Sequence, residues 1–222
     1  MRRARVPSVL REIDPSFVRG VLSRDLTGDG IPEIVLASQH GIVMGQTAAI
    51  VPDLGSAFTL AACEMLQRLD IGDINRDGVP EIITAVGTNG SPPDRLFSIH
   101  RWSRRHGRFE TLFQEGGSSG NVELRDLDRD GIPEVLFGAC SDTSGPEERT
   151  LSYWTDVYAW NGRRWAMANE RFPAVFEQFL DQAKQLRKEL KGWEDFETLV
   201  ENERRARRIL RTVSRGRQSS LD

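Results

Sequence analysis

Three short segments constrain this chain more than anything else in it. Asp25-Leu-Thr-Gly-Asp-Gly-Ile-Pro-Glu33, Asp73-Ile-Asn-Arg-Asp-Gly-Val-Pro-Glu81 and Asp126-Leu-Asp-Arg-Asp-Gly-Ile-Pro-Glu134 share the pattern D-x-[DNT]-x-D-G-[IV]-P-E. Self-similarity at a fixed period marks a repeat architecture, in which each copy is one supersecondary unit. The three copies stand about 50 residues apart, which is the size of one propeller blade.

The flanks repeat as well. A β-type stretch precedes each copy: Phe17 to Arg24, Met65 to Ile71, Asn121 to Arg125. A short Val- and Ile-rich run follows it: Glu33 to Ala37, Glu81 to Ala85, Glu134 to Gly138. Runs this short, bounded by Gly and Pro, predict buried strands rather than helices, so each motif joins two strands. Further alternating stretches predict two outer strands per unit. They are Arg95–Trp102 with Arg108–Phe113, and Asp156–Trp160 with Arg163–Met167 across an Asn161-Gly162 turn. Gly41–Ala49 and Ala57–Ala62 are weaker candidates for the same pair in the first unit.

From Arg171 the period changes to that of a helix. Phe172, Val175, Phe176, Phe179, Leu180, Ala183, Leu186 and Leu190 form one stripe, with Pro173 suited to the first turn and Gly192 to a stop. Phe196, Leu199, Val200, Ala206, Ile209, Leu210 and Val213 form a second. Acidic residues open this second helix and arginines fill its later turns, as the helix dipole favours. The expected organisation is a lead-in over 1–16, three β-units over 17–168 (17–62, 65–115 and 121–168), a helical hairpin over 171–214 and a frayed tail over 215–222.

Carboxylates at positions 1, 3, 5 and 9 of a nine-residue loop repel one another unless a cation neutralises them. Calcium suits them, because it takes six to eight oxygens and a Gly at position six allows the turn that wraps positions 1, 3 and 5 around one point. Magnesium, which demands a strict octahedron and keeps its waters, suits them less. An EF-hand is excluded: its twelfth position must be a bidentate Glu that begins a helix, and here that position is Leu36, Thr84 or Phe137 inside a strand pattern.

These loops and their flanking strands resemble the FG-GAP and VCBS-like repeats, whose D-x-[DN]-x-D-G-x-x-[DE] calcium loops join two strands of a propeller blade, as in integrin alpha subunits. The resemblance covers residues 15–168. The Phe-Gly and Gly-Ala-Pro signatures are missing, which makes the VCBS-like variant the nearer match. It implies a mainly β fold, a partial or open β-propeller of three four-stranded blades, followed here by a C-terminal α-helical hairpin. It also implies up to three Ca2+. The ligands would be Asp25, Thr27, Asp29 and Glu33; Asp73, Asn75, Asp77 and Glu81; and Asp126, Asp128, Asp130 and Glu134. Ile31, Val79 and Ile132 would add backbone carbonyls. Because fewer charged ligands weaken calcium binding, loop 126–134 should bind tightest and loop 25–33, with Thr27 in place of a carboxylate or amide, weakest.

Three units are fewer than the four to eight blades of a closed propeller. Either the helical hairpin covers the open edges or chains associate through them.

The implied function is a non-enzymatic binding or scaffolding module, engaging a protein or glycan partner as adhesion proteins of this type do. The alternative is an accessory or catalytic part of a secreted hydrolase or lyase acting on polysaccharide or lipid. No nucleophile–base arrangement has a recognisable local context, so no catalytic residue and no organic cofactor is expected. His100 and His106, with Arg101, Arg104, Arg105 and Arg108, read as a solvated hairpin turn. The aromatics Trp102, Tyr153, Trp154, Tyr158, Trp160 and Trp165 read as cross-strand packing.

Charge and composition narrow the field further. With 30 Lys+Arg against 33 Asp+Glu the net charge is −3, which gives no global attraction to nucleic acid, and the arginines near the C-terminus lie among Glu201 and Glu203. No apolar run approaches the roughly 18 residues needed to span a bilayer. Cys63 and Cys140 are too few for a disulfide scaffold or a thiolate zinc site. The resemblance points to an extracellular or periplasmic setting, although no signal peptide stands at Met1–Arg11 and a cytoplasmic one stays open. Ten of the 33 acidic residues sit in the three loops, so three bound Ca2+ would carry the formal charge from −3 to +3.

Overall fold

A computed structural model describes residues 18–38, 41–46, 65–87, 94–118, 121–139, 154–189 and 195–219. The lead-in, Cys63, Cys140, His40, Tyr153, Leu190, Gly192 and the stretch 57–62 lie outside them.

The strands are β1 (Val18–Arg24), β2 (Glu33–Ser38), β3 (Gly41–Gln46), β4 (Met65–Gly72), β5 (Glu81–Gly87), β6 (Asp94–Ser103), β7 (Arg108–Ser118), β8 (Asn121–Arg125), β9 (Glu134–Ala139), β10 (Trp154–Trp160) and β11 (Trp165–Met167). They form three sheets, each a meander whose spatial order follows the chain: β1-β2-β3, β4-β5-β6-β7 and β8-β9-β10-β11. Among the described residues the protein is therefore mainly β, with two antiparallel four-stranded sheets, a three-stranded one and a C-terminal helical pair. Each loop of the repeat joins the first two strands of its own sheet. The pairings Arg24↔Glu33, Gly72↔Glu81 and Arg125↔Glu134 close the three loops in the same register.

The chain divides into two compact units, Met1–Gly116 and Gly117–Asp222. In the first, Leu26 and Val35 pack with Ile82 and Val86, and Leu69, Ile71, Leu96 and Phe109 close around them. Alternation decides which strand residues enter this core. Ile82 and Val86 lie two turns of the pleat apart on one face of β5, while Ile83 is buried on the other face.

In the second unit two helices, α1 (Pro173–Glu189) and α2 (Asp195–Ser219), follow β11 through a 3-10 turn at Asn169–Arg171. Their apolar stripes pack with β10: Phe172, Phe176 and Ala206 share one buried cluster with Trp154, Val157 and Ala159. Ala183 and Leu199 form a second contact between the helices, flanked by Phe179, Leu186 and Phe196. A polar latch reinforces this docking. Asn169 donates to Asp156 (2.8 Å) and accepts from the Val157 amide (2.7 Å). Arg205 of α2 donates to the same Asp156 at 2.8 Å and lies 4.2 Å from the centre of the Trp154 ring.

One boundary differs from the sequence reading. Helix α2 runs to Ser219, past the Gly216 at which fraying is expected. A single glycine costs a growing helix only about 1 kcal/mol, which propagation from a 25-residue helix absorbs.

Two pairs of the aromatics behave as sheet packing, whereas Trp154 packs on the helix residues Phe176 and Phe179. Trp102 meets Phe109 edge-on at 5.1 Å and Trp160 meets Trp165 at 4.7 Å, across neighbouring strands. His100 departs from its reading as part of a solvated turn. It is buried at the middle of β6, where its Nδ1 lies 3.1 Å from the Thr111 hydroxyl, and only Arg104–Gly107 form the exposed turn.

Candidate metal centre

The three loops share one backbone conformation. Position four lies in the left-handed region in every copy, at φ 70° for Gly28, 61° for Arg76 and 64° for Arg129. Position six does so too, at φ 85° for Gly30 and Gly78 and 86° for Gly131. This alternation curls the chain so that position one accepts from the amide of position six: Asp25 from Gly30 (2.8 Å), Asp73 from Gly78 (2.9 Å), Asp126 from Gly131 (3.0 Å). Position five accepts from the amide of position seven in the same way, Asp29 from Ile31 (2.8 Å), Asp77 from Val79 (3.0 Å), Asp130 from Ile132 (2.7 Å). Side chains one and five thus face one point, with the backbone satisfied around them.

A left-handed conformation costs an L-residue roughly 1–2 kcal/mol. Position six tolerates glycine alone, whereas arginine holds position four in two copies against that strain. Gly131→Ala should therefore destabilise the protein by about 1–2 kcal/mol, while Arg129→Gly should be neutral or stabilising despite the added chain entropy. Urea unfolding of both variants checks this. Equal losses for the two would contradict it.

Position two, which the repeat pattern leaves open, is apolar in all copies (Leu26, Ile74, Leu127) and anchors the loop. Leu26 is fully buried in the first core and Leu127 packs at the edge of the second. Its amide donates inward to the ninth-position Glu: Leu26 to Glu33 at 2.6 Å, Ile74 to Glu81 at 3.0 Å and Leu127 to Glu134 at 2.8 Å. The ninth-position carboxylates are almost completely buried, at 3%, 0% and 2% exposure. One oxygen of each Glu clamps the loop backbone. In the first two loops the other oxygen faces the position-three side chain. It accepts from the Thr27 hydroxyl (3.3 Å) in the first and from the Asn75 amide (2.9 Å) in the second.

The third loop differs at this point. Position three is Asp128, which has no proton to give, and Glu134 is held above the usual carboxylate range by burial and by the neighbouring Asp128 and Asp130. Asp126, Asp128 and Asp130 are all exposed, and each offers an oxygen within 4.8 Å of the others. Two oxygens at ~2.4 Å from one ion lie at most ~5 Å apart, so these three fit a single Ca2+ shell. Among the described residues this is the one acidic group so arranged.

The second loop is closed on itself. Asp73 takes the amides of Asp77 (3.0 Å) and Gly78 (2.9 Å), and Asp77 takes the Val79 amide, the Asn75 amide group (3.2 Å) and the Arg101 guanidinium. In the first loop Arg104 donates to the carbonyls of Thr27 and Gly28, each at 3.0 Å. All twelve predicted side-chain ligands therefore stand on three equivalent loops, and the carbonyl donors Ile31, Val79 and Ile132 follow each loop's Gly. Among the described residues Asp126, Asp128 and Asp130 are the three carboxylates drawn into ion-sized proximity. The arginines were missed, because Arg101, Arg104 and the loops they touch are distant in sequence.

Burial also perturbs two groups in the first unit. Glu81 is pushed up from 4.5 to about 7, chiefly by desolvation, with Asp77 and Asp73 adding to it and the Ile74 amide and Arg101 opposing it. His100 is pushed down from 6.5 to about 4 by burial. Between about 4.5 and 7 the folded protein keeps the Glu81 proton that the unfolded chain has released, so this group's contribution to stability is lost as pH rises. The unfolded chain protonates His100 below 6.5 while the folded protein resists until about 4, so that contribution is lost as pH falls. The two slopes oppose each other and flatten the profile of the chelated protein. Relative to wild type, Glu81→Gln should gain stability as pH rises from about 4.5 to 7, and His100→Gln should gain it as pH falls from 6.5 to about 4. Denaturant unfolding in chelator across that range reads both; parallel profiles would contradict the assignment.

Neither the protein-family models nor the curated proteins contain a match to this chain. Among the described residues no helix is long and apolar enough to cross a membrane.

Proposed function

We propose that this chain is a calcium-binding repeat protein of the FG-GAP/VCBS-like type, acting as a non-enzymatic binding or scaffolding module for a protein or glycan. The observation that carries the reading is the third loop, where three exposed carboxylates converge to ion-shell distance around a backbone already satisfied by its own amides. Up to three Ca2+ would be held, with Asp126, Asp128, Asp130 and the Ile132 carbonyl as the best-formed set and Glu134 closing it from the buried side. Bound there, calcium supplies the positive charge that four carboxylates lack.

Three meanders with one loop each, always between the first two strands, support blades of a partial or open β-propeller. Calcium pinning each first strand pair would then be structural, and the outer strands would present the surface for a partner. A calcium-rich extracellular or periplasmic setting suits such loops.

Titration calorimetry on Asp25→Ala, Asp73→Ala and Asp126→Ala tests the assignment, since these side chains are at the surface or partly so. The Asp126 variant should lose the tightest site. The Asp25 variant should lose the weakest, because Thr27 offers a hydroxyl where the other loops offer an amide or carboxylate oxygen. The second loop should lie between, since its oxygens must exchange existing hydrogen bonds for the ion. Three equal affinities would sink the ordering, and no heat in the wild type would sink the function.

A further inference from the structure

We propose that Arg171 is a built-in competitor for the metal of the third loop, so that its guanidinium and Ca2+ are alternative partners of Asp128. This rests on the calcium reading of that loop. Arg171 ends the 3-10 turn that leads into α1, and its Nη2 lies 3.0 Å from Asp128 Oδ2. Its guanidinium carbon stands 5.2 Å from the centre of the Phe172 ring, and Phe172 is buried in the core where the helices meet β10. The fork is thus held over the loop by a neighbour that cannot move without opening that core.

The need for it follows from position three. Thr27 and Asn75 satisfy their buried glutamates by donating a proton, and Asp128 cannot. The third loop consequently carries four carboxylates where the others carry three, and Arg171 is the positive group that the fold brings to the extra one. Arg101 treats Asp77 of the second loop in the same manner. A doubly charged ion sharing Asp128 with a guanidinium would be repelled by it, and the two compete for the same oxygen. Arg171 therefore lowers calcium affinity at this loop while steadying the loop when calcium is absent.

A site-specific reporter is available, because the Trp165 indole donates to the Pro133 carbonyl of the same loop at 2.9 Å. Tb3+ in place of Ca2+ should give tryptophan-sensitised emission that Ca2+ displaces, and Asp126→Asn should remove that signal. Against this readout Arg171→Gln should bind Ca2+ about three- to tenfold more tightly than wild type, a range set by a half-exposed ion pair and a nearby unit charge. Arg171→Lys, which keeps the charge but not the fork, should lie between the two. In chelator Arg171→Gln should unfold at a slightly lower temperature than wild type, and in saturating Ca2+ the difference should vanish or reverse, because the tighter binding adds to the variant's stability what the lost ion pair removed. Equal or weaker binding by Arg171→Gln would overturn the competition and make Arg171 a residue that positions Asp128 for the ion. If wild type shows no Ca2+-displaceable signal and no heat of binding, the calcium reading fails and the competition falls with it.

Discussion

Truncating Glu81 to alanine should cost the metal-free protein about 2–4 kcal/mol, far more than any exposed charge in the same unit. The side chain is fully buried, accepts the Ile74 amide at 3.0 Å and takes the Asn75 amide group at 2.9 Å. Alanine leaves the Ile74 amide without its acceptor, leaves the buried Asn75 with Asp77 as its remaining partner, and opens a void where a methylene and a carboxyl had been. An unsatisfied buried donor alone is worth about 1–3 kcal/mol. Glu81→Gln restores one oxygen and should recover much of the loss, most fully near pH 7, where the glutamate is half ionised against its burial. By contrast, Asp70→Ala, which breaks an exposed pair with Arg68, should change stability by less than about 1 kcal/mol. Urea unfolding in chelator measures all three. A loss for Glu81→Ala as small as that for Asp70→Ala would contradict the role of the glutamate as a clamp on the loop.

The clamp explains what could and could not be read from the residues. The repeat is legible because carboxylate spacing and turn chemistry both act locally, within nine residues. Gly30, Gly78 and Gly131 mark a left-handed position, and Glu33, Glu81 and Glu134 mark the first residue of a strand. The helical stripes are legible for a similar reason, since Phe172, Phe176 and Phe179 need only a 3.6-residue period to share a face. The left-handed fourth position was half hidden. Gly28 signals it, but Arg76 and Arg129 give no hint, because their strain is balanced by hydrogen bonds that form once the loop closes. The buried role of the ninth position was also hidden, because a glutamate after proline reads as a ligand before it reads as a backbone clamp.

The arginines were least legible. Arg101 reaches Asp77 from β6, Arg104 reaches the first loop from the β6–β7 turn, and Arg171 reaches Asp128 from the far side of the third sheet's last hairpin. Nothing local in a sequence pairs residues 43 or 77 positions apart. Their presence alters how the loops should be ranked. Counting charges puts the third loop first and leaves the other two level, with Thr27 against Asn75 as the difference between them. The structure adds that Asn75 and Arg101 hold Asp77 in the second loop and Arg171 holds Asp128 in the third, where three carboxylates already lie together.

The largest effect expected of the protein as a whole is its response to calcium. Any ion that binds the folded state alone stabilises it by RT ln(1 + [L]/Kd), about 2.7 kcal/mol per site at a hundredfold excess over Kd. The unit Gly117–Asp222 contains the third loop, and a stabilisation of that size should raise the unfolding midpoint of a domain of its length by roughly 10–20 °C. The other unit contains two weaker loops and should respond at higher concentration. Magnesium should do much less, because these loops present oxygens for a large flexible shell rather than a strict octahedron.

Calorimetric unfolding of the full chain in chelator, in magnesium and in saturating calcium at matched ionic strength therefore tests the central claim most directly. Calcium-bound loops predict a midpoint that rises by roughly 10 °C or more with calcium, rises little with magnesium, and loses most of its calcium response in Asp126→Ala. Coincident transitions in all three buffers would contradict it, and the loops would then be acidic turns held by their own amides and arginines.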